Sequence, residues 1–466
     1  MQQMNNHVSK PDVYETGRKK MTTSLRTVGV TAMVAMALCG GTSAMAAASE
    51  GTPATGIQVQ PAAATESVGS VVRIDEHKRL IVNGEPFFPL GFYGGATGEE
   101  DLARIASAGY NTVLSYQYGA RKDPRGFLDR AQKHGVWVIY SLKDFWQDGR
   151  FPEEEYATGA DYAREAYVSK LKDHPALLAW YINDEAKPKS AARVQAMYEM
   201  VKKEDPNHPA FNFPLGKPEC VFPAAGDIFG RGAYPVNAPS HKKFQIRPLE
   251  EVTGNMKTFK DVLPEKGYEN TPVWAVLQSF GYGLYWKKKG PWWLHMREPD
   301  FNQIRCITYL ALIEDVKGVL YYSYQDLWRR PSRQNEDEEH FERRWAGMRL
   351  IGRELNVLQN VMLHGEPLEL RRYPHPNPEN RVAVGGYAYN GELYVLVASP
   401  QEHAQTDHLE IPLPAETGAW RVKGLLDGEV LAETVQNGRK LSIHIPPHGA
   451  DTIILEPQTA AQTGRE

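Results

Sequence analysis

Between residues 73 and 362, short apolar runs alternate with segments whose apolar residues recur every three to four positions. The runs predict strands over 87–93, 112–116, 136–141, 177–183, 210–213, 228–235, 273–280 and 319–324. The periodic segments predict helices over 99–108, 126–134, 162–172, 191–203, 250–263, 302–316 and 340–362. Alternation of this kind implies a parallel sheet covered by helices. Eight strands suit an α/β fold, a (β/α)8 TIM barrel, within a domain assigned to 73–365. A hairpin opens that domain, with Asn83-Gly84 supplying the turn. A doubly wound sheet would advertise a Gly-rich phosphate turn after its first strand, and Gly94-Gly95 is not one. From residue 366 the apolar period falls to two and the runs are parted by Gly, Pro and Asn-Gly, which predicts a small all-β sandwich over 366–457. Residues 458–466 read as a tail.

The N-terminal pattern is different. The apolar run 28–38 is shorter than the roughly 20 residues that span a bilayer. Arg18, Lys19, Lys20 and Arg26 precede it and Ala44-Met45-Ala46 follows, the order of a secretory signal peptide. Residues 1–48 are therefore expected to be cleaved near Ala46 or Ala48, giving a secreted or periplasmic protein with no membrane span. Residues 49–72, rich in Ala, Thr, Gly, Ser and Pro, read as a flexible linker. Cys39 leaves with the signal, so Cys220 and Cys306 allow at most one internal disulfide.

Of the 466 residues, 42% are hydrophobic and 24% charged, which excludes a disordered or fibrous chain. A formal charge of −4 argues against a nucleic-acid partner. No metal-ligand spacing and no cofactor motif occurs, so none is expected; oligomeric state is not readable. The 10 Trp and 23 Tyr suggest that some aromatic faces serve a ligand.

Catalytic groups of a barrel sit at the C-terminal ends of its strands. Those ends carry Tyr93, Tyr116, Asp144, Trp146, Asn183, Asp184, Glu185, Tyr234, Gln278, Tyr322, Asp326 and Trp328. Trp286 and Trp292 lie in the loop after the seventh strand. Aromatic faces for sugar C–H groups, with carboxylates for hydroxyls and proton transfer, point to a carbohydrate substrate; a phosphate site would hold more cations. The strongest signal is LLAWYINDE at 177–185, a buried strand that ends in adjacent carboxylates. Their repulsion should raise one pKa, as a general acid requires. Acidic capping of the next helix is the competing reading, but that helix begins beyond Pro188.

These residues resemble the clan A glycoside hydrolases, (β/α)8 enzymes acting on β-linked sugars. The NGEPFFPLGFYGG hairpin, the W-Y-x-N-D-E strand end, the RCITYLALIEDVKGVLYYSY helix–strand pair and the C-terminal sandwich carry the resemblance over about 73–457. It implies that Glu185 is the general acid/base. Two positions depart from the clan pattern: Asp184 stands where the clan has Asn, and Gln278 where it has a nucleophilic Glu. An amide forms no glycosyl ester at a useful rate. Three readings follow. The Asp184-Glu185 pair resembles that of substrate-assisted β-N-acetylhexosaminidases, in which the 2-acetamido group attacks. Alternatively Glu185 is the acid of an inverting enzyme and Asp326 or Asp144 its base, about 6.5–9.5 Å away. Or catalysis is lost and the barrel only binds carbohydrate.

Overall fold

A computed structural model describes residues 69–115, 122–143, 159–222, 225–237, 247–285, 296–330, 333–370, 382–409, 419–426, 430–436 and 441–458. The residues read as a signal peptide, and nearly all of those read as a linker and a tail, lie outside the described residues.

The eight apolar runs form the staves of a closed parallel barrel: β1 Leu90–Gly94, β2 Thr112–Ser115, β3 Trp137–Ser141, β4 Leu177–Asp184, β5 Ala210–Phe213, β6 Ile228–Ala233, β7 Val273–Gln278 and β8 Val319–Tyr322. Closure is made by β8 on β1, with Val319 opposite Leu90. The period-two pattern sends alternate side chains to two environments. On β7, Trp274 and Val276 fill the barrel interior, while Val273, Ala275 and Leu277 face the helical layer. The opening hairpin contributes Val72, Leu80, Val82 and Phe87 to the interior cluster.

The described helices are α1 Glu99–Ser107, α2 Pro124–Lys133, α3 beginning at Gly159–Ala163, α4 Ala191–Glu204, α5 Glu251–Glu265, α6 Phe301–Ile313 and α7 Glu338–His364. α3 continues through a π-helical turn, Arg164–Val168, into Ser169–Leu171. Start signals written in the sequence set several N-termini. Asp123 accepts from Gly126 N ahead of α2, and Asp300 with Gln303 forms a reciprocal capping box at α6. Between β5 and β6 the described chain has only a short 3-10 turn, Pro218–Cys220.

The C-terminal region is a six-stranded antiparallel sheet in the order Glu366–Pro367, Ala383–Tyr389, Glu392–Ala398, Ala450–Pro457, Ala419–Gly424 and Val430–Gln436. Gln405–Leu409 pairs separately with Leu441–Ile445, and Ile445 packs into the core of the larger sheet. α6 lies at the seam between barrel and sheet, which is why ten of its thirteen residues are buried. Arg305 on α6 bonds both Glu354 oxygens, at 2.9 and 2.8 Å, and also the carbonyl of Ala450. Cys220 and Cys306 are buried free thiols. No described helix is long and apolar enough to cross a membrane.

Candidate active site

β4 delivers the acidic pair to the open end of the barrel. Asp184 is its last residue, and its carboxylate is held on both oxygens. Tyr181 Oη donates to Oδ1 at 2.9 Å, and Lys143 Nζ lies 3.0 Å from Oδ2. Glu185 follows with φ of 53°, in the left-handed region that a non-glycine residue enters at a cost of about 1 kcal/mol or more. Its N–H donates to the Phe213 carbonyl at 2.7 Å, so the end of β5 pins this turn. The effect is to turn Glu185 out of the strand direction and leave its side chain exposed at the pocket mouth.

That pocket holds about 230 Å³ and is walled by Tyr93, Phe213, Tyr234, Phe280, Tyr282, Tyr285 and Tyr322, with Asp184 and Glu185 on its lining. Aromatic walls displace water from around Glu185, although its carboxyl stays reachable from solvent. That desolvation, and then the charge of Asp184, raises the Glu185 pKa; Arg231 and Lys143 oppose the rise. The hydroxyl groups of Tyr93 and Tyr234 are held protonated, first by burial and then by neighbouring acidic groups. Tyr282 donates to the carbonyl of Tyr234 at 3.0 Å, linking the β6 and β7 ends.

Four residues expected at the site are placed elsewhere. Asn183 is fully buried: its Nδ2 donates to Asn212 Oδ1 at 2.7 Å and its Oδ1 accepts from Ala186 N at 3.1 Å. Gln278 does terminate β7, so the strand count is right, but its amide is used by the backbone. It accepts from Val236 N at 2.8 Å and donates to the carbonyls of Val236 and Phe280 at 2.9 and 3.0 Å. Asp326 is buried and accepts from Ser323 Oγ at 2.6 Å and from Tyr285 Oη; it does not line the pocket. Trp328 stacks on Phe341 of α7 with ring centroids 3.8 Å apart, also away from the pocket. Tyr116, Asp144, Trp146, Trp286 and Trp292 lie outside the described residues.

The structure adds Lys143, Phe213, Phe280, Tyr282, Tyr285 and, acting on Glu185 by its charge, Arg231. Lys143 directly precedes Asp144 at the end of the third predicted strand, and Tyr282 and Tyr285 stand in the GYGLYW stretch, so position alone could have nominated them. Arg231, inside an apolar strand, gave no such signal. Among the described residues no group of three or more His, Cys, Asp or Glu could hold a metal.

The barrel, with an acidic pair at the end of its fourth strand, shares its fold with solved glycoside hydrolases. Among solved structures, one named glycoside hydrolase superposes with a TM-score of 0.57 at 15% identity, covering 84% of this chain and 98% of its own. A glycoside hydrolase family 5 protein from Bacteroides vulgatus ATCC 8482 gives 0.58 at 16% identity, covering 84% of this chain and 94% of its own. AmyP in complex with maltose gives 0.50 at 13% identity over 78% of this chain and 90% of its own. No protein-family model matches the sequence, and no curated protein matches it either. At these identities the likeness is one of fold.

Proposed function

We propose that the protein is an exported glycoside hydrolase that cleaves β-linked sugars with Glu185 as general acid/base. The observation that carries this is the Asp184–Glu185 pair, set at a barrel strand end inside a pocket of seven aromatic residues. The division of labour follows from the contacts. Lys143 and Tyr181 occupy the two oxygens of Asp184, which leaves Glu185, the carboxyl whose pKa is raised, as the proton donor. A protonated Glu185 donates its proton to the glycosidic oxygen as the bond to the anomeric carbon breaks; a water oxygen bonds to that carbon and gives up a proton, which restores the protonated acid. The aromatic walls supply flat faces for the sugar ring, and no described lining residue is a cation that would ask for an acidic sugar. The basic-apolar-small order of the N-terminus supports export. Hydrolysis of a panel of aryl glycosides by the wild type and by Glu185→Gln tests the assignment. The variant should lose about 10²-fold or more in turnover on poor leaving groups; a correctly folded variant with wild-type turnover refutes it.

One observation favours a second, narrower reading. Gln278 is locked in backbone hydrogen bonds and Asp326 is buried, so the described pocket lining offers no third carboxylate. Substrate assistance needs none: the 2-acetamido oxygen attacks the anomeric carbon, Glu185 protonates the leaving oxygen, and Asp184 stabilises the positive charge that develops. Proton NMR in the first minutes of reaction separates the mechanisms, since assistance releases the anomer of retained configuration. Release of the opposite anomer, or efficient hydrolysis of plain glucosides, contradicts it.

A further inference from the structure

Asp326 and Tyr285 come from opposite sides of the β7–β8 junction. Asp326 sits in the 3-10 turn after β8, Tyr324–Trp328, and is fully buried. Its Oδ2 accepts from Ser323 Oγ and from Tyr285 Oη, while the Arg329 guanidinium lies 3.6 Å from Oδ1. Tyr285 ends the short turn that follows β7, and it lines the pocket. Tyr285 is 50% exposed, although its hydroxyl is anchored on buried Asp326. An exposed ring of this kind ordinarily samples several rotamers. The hydrogen bond from Tyr285 Oη to Asp326 Oδ2 selects one. The contacts continue inward, because Tyr322 lines the same pocket as Tyr285. Phe280 packs against both rings, with centroids 5.5 Å from Tyr285 and 5.6 Å from Tyr322. One buried carboxylate thereby fixes two walls of the sugar pocket.

Building on the glycosidase reading, we propose that Asp326 is a positioning residue: it locks Tyr285, and through it Tyr322, in the wall against which the bound sugar ring packs. Asp326 is then not the base of an inverting reaction. Its loss weakens substrate binding and leaves the acid chemistry of Glu185 in place.

The test uses Asp326→Asn and Tyr285→Phe in the full-length protein, with the 4-nitrophenyl glycosides that the wild type hydrolyses. Tyr285→Phe keeps the ring and the core, so it holds if the asparagine variant fails to fold. Both variants should raise KM about tenfold, change kcat less than about threefold and keep the wild-type pH profile, as expected for lost uniform binding. A loss of about 100-fold or more in kcat for Asp326→Asn at unchanged KM makes Asp326 a base and overturns the proposal. Unchanged KM in both variants overturns it as well. If the wild type hydrolyses no glycoside, the glycosidase reading fails separately, and crystal structures decide the positioning role. The Tyr285 ring should leave the pocket wall in Asp326→Asn; an unmoved ring overturns the proposal.

Discussion

Glu185 is the residue at which backbone and chemistry are least separable. Its left-handed φ turns the side chain into the aromatic pocket, and the same walls raise its pKa. The sign of the pH dependence follows. A carboxyl whose pKa is raised in the folded protein keeps its proton to higher pH than an ordinary Glu, so the acid-competent form persists further toward neutrality and is lost as pH rises through the raised value. Stability should fall across the same window, because there the native state binds the proton more tightly than the unfolded chain. Asp184→Asn removes the second-largest cause of the shift, so the basic limb of the kcat/KM profile should move to lower pH. Lys143→Met removes an opposing cation and should move that limb to higher pH; initial-rate profiles of the two variants check both directions. The acidic pair was legible in the sequence because an apolar strand ended in it. Gln278, Asn183 and Trp328 were not, since strand-end position does not say whether a polar group meets ligand or backbone. A register shift between Tyr181 and Asn183, where β4 pairs with β5, is the kind of local irregularity that periodicity does not show.

At the scale of elements, the eight strands were readable because apolar residues dominate them, and several, such as β3 and β7, are buried along their whole length. The sandwich strands are less readable: Val430–Gln436, VLAETVQ, mixes polar and apolar positions without clean alternation. The joint between β6 and β7 depends on Gln278, whose amide both donates to and accepts from the chain at Val236. Gln278→Glu keeps the shape but removes the two N–H donors that satisfy the carbonyls of Val236 and Phe280. It also buries a charge. The variant should lose about 2 kcal/mol or more of stability, measured by urea unfolding, because buried carbonyls are left unsatisfied. It should gain no new glycosidase activity, although it restores the clan's residue type at this position; faster turnover in Gln278→Glu counts against the clamp.

For the whole molecule, barrel and sheet share one core. Tyr387, Tyr394, Leu396, Ala398, Ala450 and Ile454 of the sheet belong to the same cluster as the barrel's helical layer. The seam is closed by half-buried Arg305 paired with buried Glu354, with Tyr309 Oη donating to Glu354 Oε2 at 3.1 Å. Arg305→Met strands a buried carboxylate and should cost about 3–5 kcal/mol in denaturant unfolding. Deleting residues 366–466 exposes the apolar face of α6 and α7 and should give insoluble protein; a soluble, active barrel would show an independent module. The two-region organisation was visible as a change of hydrophobic period near residue 366, but the shared core depends on which faces meet, which no local pattern encodes. The central claim, that this barrel cleaves glycosides with Glu185 as its acid, is tested most directly by comparing Glu185→Gln with the wild type on aryl β-glycosides of graded leaving-group pKa. The account predicts a loss of about 10²-fold or more for poor leaving groups, shrinking as the leaving group needs less protonation. A folded variant that hydrolyses poor and good leaving groups at wild-type rates contradicts it.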